Sequence, residues 1–343
     1  MSTNNLNDET QCKWVSSRGL LKICDRHNKN PQSSSRNIDP DILDNLKDFD
    51  VLHICSWLSI SIFMTNYADK IDKKVIIVTN DSDFDAPIFE KPVGVGDEIN
   101  KEAILNFLNS DKCIHWFTQN CTLNHPKVTP IPIGMDYHTF SPTISCIDQE
   151  KMLNNIKESS KHFSKRIVKC YGNFHFNMDG KYYTNDRYDC YNNVNKELVN
   201  YEENIVMREE TWKNQIKYAF VLSPSGGGYD CHRTWEALIL GCIPIVKRHN
   251  LPFERIYDEL PVLMVSDWKD ISKGLLEITI KKFSKKTFNY DKLSLEYWKN
   301  KFNSYKKIYD EEELINKLIN EFENDNSSKN NNKNIKNKKS KKK

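Results

Sequence analysis

Residues 218–246 read YAFVLSPSGGGYDCHRTWEALILGCIPIV, a run that combines the patterns of a strand, a glycine loop, a helix and a second strand. The apolar residues at 218–222 predict a strand that is buried on both faces and ends at Ser223. Residues 243–246 predict the next parallel strand, and Gly241 stands where the intervening helix stops. The run therefore predicts a βαβ unit.

The loop and the helix start of this unit form a candidate phosphate site. The loop contains three consecutive glycines, Gly226, Gly227 and Gly228. Glycines let the backbone approach a ligand closely with its N–H groups exposed. We expect Asp230 to cap the helix, whose N-terminus carries positive partial charge. His232 and Arg233 add side-chain donors in the first turn, so the region suits a diphosphate.

Glu236 lies one turn after His232 on the same helix face. Its carboxylate could accept hydrogen bonds from a ribose diol, which would combine sugar and phosphate recognition. The alternative is an ordinary mobile loop beside a solvated, salt-bridged helix face. Neither GxxxxGK[ST] nor an opening GxGxxG is present, which argues against a P-loop enzyme and an ordinary dinucleotide-binding dehydrogenase.

Two further blocks follow at short intervals, Pro252-Phe253 and the run LPVLMVSDW at 260–268. With residues 223–246 they resemble, in order and spacing, the C-terminal half of exostosin-like glycosyltransferases, which belong to the two-domain GT-B superfamily. The resemblance covers roughly fifty of the 343 residues. It implies that the segment binds the nucleotide diphosphate of a sugar donor, that Arg233 neutralises the diphosphate and that Glu236 holds the nucleoside ribose.

The start of the chain departs from that family, whose members usually carry a membrane anchor and act in a secretory lumen. Residues 1–10 are polar and lack an apolar h-region, and residues 51–64 are too short to cross a bilayer. The ten cysteines are scattered without a CxxC pair, which favours reduced thiols. We therefore expect a cytoplasmic protein without a transmembrane segment.

The charge of the chain is uneven. The net charge is +3, but residues 327–343 contain eight lysines and no acid, so the remainder carries −5. The Asn/Lys-rich end has almost nothing to bury, which predicts a disordered tail. Because the rest of the chain is mildly acidic, we expect no specific binding of nucleic acid.

The first half also alternates between strand and helix patterns. Strands are predicted at Val51–Cys55, Val75–Thr79 and Cys113–Thr118, and helices at Asp41–Lys47 and Lys101–Asn109. This pattern predicts a second Rossmann-like sheet. The proline-punctuated segment KVTPIPIGMDYHTF at 127–140 resembles the crossing between the two domains of GT-B enzymes, where an IPxGxD-like stretch commonly stands.

A strand at Arg166–Phe174 opens the second domain, and a polar loop follows it. Ligands of open α/β sheets bind beyond the carboxyl ends of strands, so polar residues just after a strand are candidates for binding. Arg187 is the second candidate for a diphosphate contact. An exposed loop arginine without a ligand is the alternative.

A second candidate site follows the strand VIIVT at 75–79, where Asp81, Asp83 and Asp85 come in alternation. This DxD pattern is compatible with a divalent metal site, a catalytic base or an Asp-rich turn. Since the helix terminus and Arg233 would already neutralise a diphosphate, we expect no metal requirement. Asp83 and Asp85 are then candidates for the general base or for acceptor binding.

The sequence thus predicts an α/β protein of the GT-B type, with two Rossmann-like domains facing each other across a cleft. The predicted divisions are residues 1–138 on the acceptor side, 139–323 with the nucleotide-sugar site, and a disordered tail at 324–343. A terminal helix at Ser294–Asn320, with a core-facing apolar stripe, is expected to cross back over the domains.

The predicted function is transfer of a sugar from a nucleotide diphosphate sugar to a hydroxyl group of a glycan or other acceptor. Inversion at the anomeric carbon is implied by the resemblance alone. The expected donor-site residues are Ser223, Gly226, Gly227, Gly228, His232, Arg233, Glu236 and Arg187. The alternatives are a metal-dependent transferase of the GT-A type that uses Asp81 and Asp83, and a catalytically silent nucleotide-binding protein.

Overall fold

We describe the protein from a computed structural model, which defines residues 8–33, 35–55, 57–89, 101–139, 143–176, 185–202, 204, 206–307, 315 and 319. The chain divides into two compact units, Met1–Lys299 and Asn300–Lys343. The first unit contains two parallel β-sheets with helices between the strands, which confirms the predicted α/β class. The fold and the sites below are those of this unit.

Four parallel strands form the first sheet, in the order β1-β2-β3-β4. They are β1 (Val51–His53), β2 (Val75–Thr79), β3 (Cys113–Thr118) and β4 (Val128–Pro130). Every residue of β1, β2 and β3 is buried, as the uninterrupted apolar runs predict for strands covered on both faces. The predicted bounds of β2 and β3 are confirmed, whereas β1 ends two residues earlier than expected.

Five parallel strands form the second sheet, in the order β6-β5-β7-β8-β9. They are β5 (Ile167–Gly172), β6 (Val199–Tyr201), β7 (Tyr218–Leu222), β8 (Ile243–Lys247) and β9 (Leu263–Val265). The strand order reverses at β5, because β6 lies on one side of it and β7 on the other. The adjoining carboxyl ends of β5 and β7 therefore form a topological switch point, the place where open α/β sheets bind ligands.

The helices connect or flank these strands. They are α1 (Ser17–Lys22), α2 (Trp57–Asn66), α3 (Lys101–Asn109), α4 (Cys146–Ser159), α5 (Asp186–Asn193), α6 (Arg208–Gln215), α7 (His232–Ile239) and α8 (Lys273–Phe283). Within the described residues, no helix is both long and apolar enough to cross a bilayer. All ten cysteines are free thiols.

The end of α7 explains the glycine that the sequence places there. Gly241 has a φ of 73°, a left-handed conformation that favours glycine. Its N–H donates to Leu238 O at 3.0 Å, and the N–H of Cys242 donates to Ala237 O at 2.8 Å. This pair of bonds satisfies the last carbonyl groups of the helix and turns the chain into β8.

Other predicted bounds differ from the observed ones. The helix expected at Asp41–Lys47 is a short 3-10 turn at Pro40–Leu43, because Asn45 adopts a left-handed φ of 57°, which ends the helical path. The strand expected at Arg166–Phe174 is shorter at both ends. Residues 295–307 are helical. Of the rest of the predicted terminal helix only residues 315 and 319 are described, both helical, and the predicted tail lies outside the described residues.

The domain division stays a prediction, although the two sheets lie on either side of His138 in the chain. The N-terminal segment contacts both halves of the first unit. The N–H of Val15 donates to Leu293 O at 2.8 Å, and the N–H of Met135 donates to Val15 O at 2.8 Å.

Candidate functional site

The first candidate site lies at the switch point, between the loops that follow β5 and β7. Arg233, in the first turn of α7, joins these two loops. Its Nε donates to Asn173 O at 3.2 Å, and its Nη1 donates to Pro224 O at 3.2 Å. The guanidinium also lies over the ring of Phe174, with Cζ 5.4 Å from the ring centroid. The βαβ run thus brings its arginine to the ligand-binding edge of the sheet.

Arg187 reaches the same place from α5. It is buried, with Nη1 donating to His175 O at 2.5 Å and Nε donating to Ser225 O at 3.3 Å. A Cβ atom on Gly226 would lie 2.3 Å from Arg187 Nη2. Gly226 is therefore the residue that makes room for the second guanidinium.

The two arginines are close enough to repel each other. Burial and the charge of Arg187 lower the pKa of Arg233 to about 10. Among the residues that the structure describes, no acidic side chain forms an ion pair with Arg233, and its hydrogen bonds go to neutral carbonyl oxygens. A bound anion would supply the missing negative charge, and guanidinium groups suit phosphate oxygens in particular.

The loop between β7 and α7 is held by its own hydrogen bonds. The N–H of Ser225 donates to Asp186 Oδ2 at 2.8 Å, and Trp268 Nε1 donates to the other oxygen of that carboxylate at 2.7 Å. The N–H of Gly226 donates to Gly228 O at 3.0 Å. The expectation that these glycines present exposed N–H groups is therefore wrong for Gly226.

The other glycines of the loop are also buried. A Cβ atom on Gly228 would lie 2.6 Å from Asn120 Nδ2 and 2.7 Å from Asp83 O, both in loops of the first sheet. Glycine at 228 thus permits a close approach between two parts of the protein. Gly227 lies between these two positions, and its role as a ligand contact stays a prediction.

Two polar residues of the loop have structural partners. Ser223 is buried, with Oγ 2.8 Å from Thr234 Oγ1. Asp230 does not cap α7, because Cys231 holds the N-cap position. The Asp230 carboxylate instead accepts hydrogen bonds from Ile133 N and Tyr257 OH, which are distant in the chain, and from Trp235 Nε1 and Cys231 N. The capping prediction is wrong because this carboxylate binds donors outside the first turn of the helix.

His232 contacts the segment that connects the two sheets. Its Nδ1 donates to Gly134 O at 2.7 Å, so this ring nitrogen carries a proton. The ring centroid lies 6.3 Å from that of His138. His232 therefore lies near a second group of charged residues, which consists of Asp136, His138, Arg208 and Glu236.

Glu236 is paired within this second group. Its Oε1 lies 3.1 Å from Nη2 of Arg208, which also lies 3.5 Å from Asp136 Oδ2. Arg208 Nη1 donates to Gln149 Oε1 at 3.0 Å and to Asp136 O at 2.5 Å. The role of Glu236 in holding a ribose stays a prediction, and a ribose would have to share this carboxylate with Arg208.

Asp81, the first aspartate of the DxD pattern after β2, is also buried near charged residues. It is 4% exposed and has a left-handed φ of 61°. Ser33 Oγ donates to its Oδ1 at 2.9 Å, and Arg18 Nε lies 3.6 Å from its Oδ2. Within the described part of the chain, Oδ2 has no hydrogen-bond partner. Burial raises the pKa of this carboxyl, opposed by the charge of Arg18.

The surroundings of Asp81 connect it to the second group of charges. The electrostatic influence of His232 and Asp136 reaches its carboxyl. Burial alone would raise the pKa of Asp136, but the charges of His232, His138 and Arg208 outweigh it and lower this pKa to about 2. Only its place after β2 could have indicated Asp81 in the sequence, because Arg18 and Ser33 are distant in the chain.

The two aspartates predicted as catalytic lie further along the same loop. Asp83 is half-buried, and its carbonyl oxygen accepts a hydrogen bond from Asn120 Nδ2 at 3.0 Å. Asp85 is buried, at 1% exposure. Their catalytic roles stay predictions. In the described ranges, no group of three or more His, Cys, Asp or Glu side chains is arranged to hold a metal ion, which leaves the expected metal independence untested.

Comparisons with known proteins add no assignment. No family model matches the chain, and the search of curated proteins gave no match either. The resemblance to exostosin-like glycosyltransferases therefore rests on the sequence blocks alone.

Proposed function

We propose that this protein is a glycosyltransferase of the GT-B type that uses a nucleotide diphosphate sugar as donor. The observation that carries the proposal is the convergence of Arg187 and Arg233 at the switch point of the second sheet. The hydrogen bonds of Arg233 there go to neutral carbonyl oxygens, and the second guanidinium lies close by, so the site favours a ligand with several negative charges. A diphosphate meets this requirement.

The acceptor side of the proposed site belongs to the first sheet. We assign the general base to Asp81, which lies after β2 and has a raised pKa, and whose buried Oδ2 lies 3.6 Å from Arg18 Nε and has no hydrogen-bond partner among the described residues. A base of this kind needs a pKa nearer to neutrality than an ordinary aspartate has. Asp83 and Asp85, on the same loop, are the other candidates for base or acceptor binding.

The proposed reaction needs no further reagent. The acceptor hydroxyl gives its proton to the Asp81 carboxylate and attacks the anomeric carbon, while the bond from that carbon to the diphosphate oxygen breaks. The electron pair leaves with the diphosphate, whose charge Arg187 and Arg233 stabilise, so that no metal ion is required. Attack opposite the leaving group inverts the anomeric configuration. The ten free thiols favour a reducing compartment such as the cytoplasm.

The test is the release of nucleoside diphosphate from a panel of UDP-, GDP-, CDP- and ADP-sugars, with glycan acceptors present and absent, and with EDTA. We expect one donor to react in EDTA, and we expect Asp81→Asn to reduce turnover by about a hundredfold or more while donor binding is retained. Arg233→Gln should weaken donor binding itself. The exposed Arg255→Gln serves as a matched control with the same charge change.

Other outcomes would select the alternatives. Release that needs a divalent ion and survives in Arg233→Gln would favour a metal-dependent transferase that uses Asp81 and Asp83. Binding of a nucleoside diphosphate without turnover on any acceptor would favour a catalytically silent nucleotide-binding protein.

A further inference from the structure

A cavity of about 460 Å³ lies at the C-terminal end of α7, whereas the arginine pair lies near its N-terminal end. A helix of eight residues is about 12 Å long, so the two regions are separate. The wall of the cavity is largely apolar and includes Leu238, Leu240 and Leu293. Its volume is in the range of small-molecule sites.

Three lysines line the cavity. They are Lys13, Lys157 and Lys161. Among the residues that the structure describes, no carboxylate forms an ion pair with any of them. Lys13 Nζ and Lys157 Nζ lie over the same indole ring, 4.7 Å and 4.1 Å from the ring centroid of Trp14. Burial and the charge of Lys13 lower the pKa of Lys157. Both ammonium groups thus contact the Trp14 ring, and the charge of Lys13 influences Lys157.

Arg166 adds a fourth, buried cation to the lining, at 8% exposure. Its Nη2 donates to Leu240 O at 2.8 Å and to Ser160 Oγ at 3.1 Å, and its Nη1 lies 2.9 Å from Cys242 Sγ. These partners are neutral, so they hold the guanidinium without cancelling its charge. Because Leu240 is at the end of α7, the hydrogen bond from Arg166 to its carbonyl oxygen also reduces the negative potential of the helix C-terminus.

Asp291 is the one acidic residue among those that line the cavity. The lining also contains four basic residues, so it has an excess of positive charge. They are Lys13, Lys157, Lys161 and Arg166. Tyr290, 45% exposed, offers an aromatic surface at the same cavity. An apolar wall, an exposed aromatic ring and uncompensated cations together favour a ligand with both apolar and anionic parts.

We propose that this cavity binds a small organic anion that has a flat apolar body and a phosphate, sulfate or carboxylate group. The anionic group contacts Lys13 and Lys157, and the apolar body lies against the leucine wall. This site is independent of the proposed donor site, since it shares none of the residues assigned there.

The test is isothermal titration calorimetry with naphthalene-1-sulfonate, compared with the neutral naphthalene-1-methanol. We expect one sulfonate to bind per chain and the neutral analogue to bind at least about tenfold more weakly. The double variant Lys13→Gln/Lys157→Gln should weaken sulfonate binding by about tenfold or more, because it removes both ammonium groups. The control is Lys281→Gln/Lys282→Gln, which removes the same charge from two exposed lysines of α8.

Three results would overturn the proposal: no binding of the sulfonate, equal binding of the neutral analogue, or unchanged binding in the Lys13/Lys157 variant. Arg233→Gln separates the two sites, because it should leave sulfonate binding unchanged. A loss confined to Arg233→Gln would place the anion at the donor site instead. Thermal unfolding of each variant checks that the protein remains folded, and Lys157→Gln alone provides a milder change if the double variant is unstable.

Discussion

Glu9 shows how burial changes a single acidic residue. It is 1% exposed, and Ser16 Oγ donates to its Oε2 at 2.6 Å. Within the described residues, Oε1 has no hydrogen-bond partner. Burial raises the pKa of Glu9 from 4.5 to about 7. The folded protein therefore binds this proton more tightly than the unfolded chain does.

A raised carboxyl pKa predicts that the contribution of Glu9 to stability is fully present below pH 4.5 and is lost as pH rises to about 7. One pKa unit corresponds to about 1.4 kcal/mol. The rise from 4.5 to about 7 therefore corresponds to a change of roughly 3 kcal/mol in the free energy of unfolding. Urea unfolding at pH 5 and pH 8 measures it. We expect Glu9→Gln to remove this part of the pH dependence, and parallel pH profiles of the two proteins would contradict the account.

The glycine loop can be tested as an element with two matched substitutions. Gly228→Ala places a methyl group 2.7 Å from the backbone oxygen of Asp83, so the loop or its neighbour must move. We expect a loss of about 1–3 kcal/mol in the free energy of unfolding. Gly274, in the first turn of α8, has open space around its Cβ position. Gly274→Ala should be neutral or stabilising by about 0.5–1 kcal/mol.

Denaturant unfolding of both glycine variants decides this point. Equal effects of the two substitutions on the free energy of unfolding would mean that the loop rearranges at little cost. The contact with Asp83 and Asn120 would then not require glycine at 228.

The sequence predicted elements well where the decisive contacts are local. The run 218–246 contains its own strand, loop, helix and stop, and the structure has β7 with the predicted bounds and β8 one residue longer. The prediction of a helix at Asp41–Lys47 was wrong because no local sequence pattern indicates the left-handed conformation of Asn45. The prediction that Asp230 caps α7 was wrong because its partners include Ile133 and Tyr257, which lie near it only in the folded chain.

Some residues of the candidate site could likewise be predicted from the sequence, and others could not. Arg233 and Gly226 could be identified from the loop pattern, whereas Arg208 and Arg18 could not, because they reach Glu236 and Asp81 from distant parts of the chain. Spacing along a sequence does not disclose such partners. Long-range charge pairing is therefore the part of the site that needed the fold.

At the scale of the whole molecule, Asp230 connects the loops of the two sheets. Its carboxylate accepts from Ile133 N at 2.8 Å, after β4, and its own N–H donates to Asn120 Oδ1 at 3.0 Å, after β3. Trp235 and Tyr257, from the second half, donate to the same carboxylate. One buried residue thus holds the two halves at the edge where the candidate site lies.

Removing this carboxylate leaves several buried donors without an acceptor. We predict that Asp230→Ala lowers the free energy of unfolding by about 3 kcal/mol or more, since each orphaned donor costs about 1–3 kcal/mol. Denaturant unfolding followed by both fluorescence and circular dichroism measures the loss. The exposed Glu277→Ala on α8 should change stability by less than about 0.5 kcal/mol. An effect of Asp230→Ala as small as that of the control would contradict the connecting role.

The central claim is that Arg187 and Arg233 bind the diphosphate of a nucleotide. Calorimetric titration with UDP, GDP, CDP and ADP in the presence of EDTA tests it most directly, on the native protein, Arg233→Gln and the control Arg255→Gln. We predict that at least one diphosphate binds without metal, that Arg233→Gln weakens it by about tenfold or more, and that Arg255→Gln does not. Absence of binding by all four, or binding that is unchanged in Arg233→Gln, would contradict the claim.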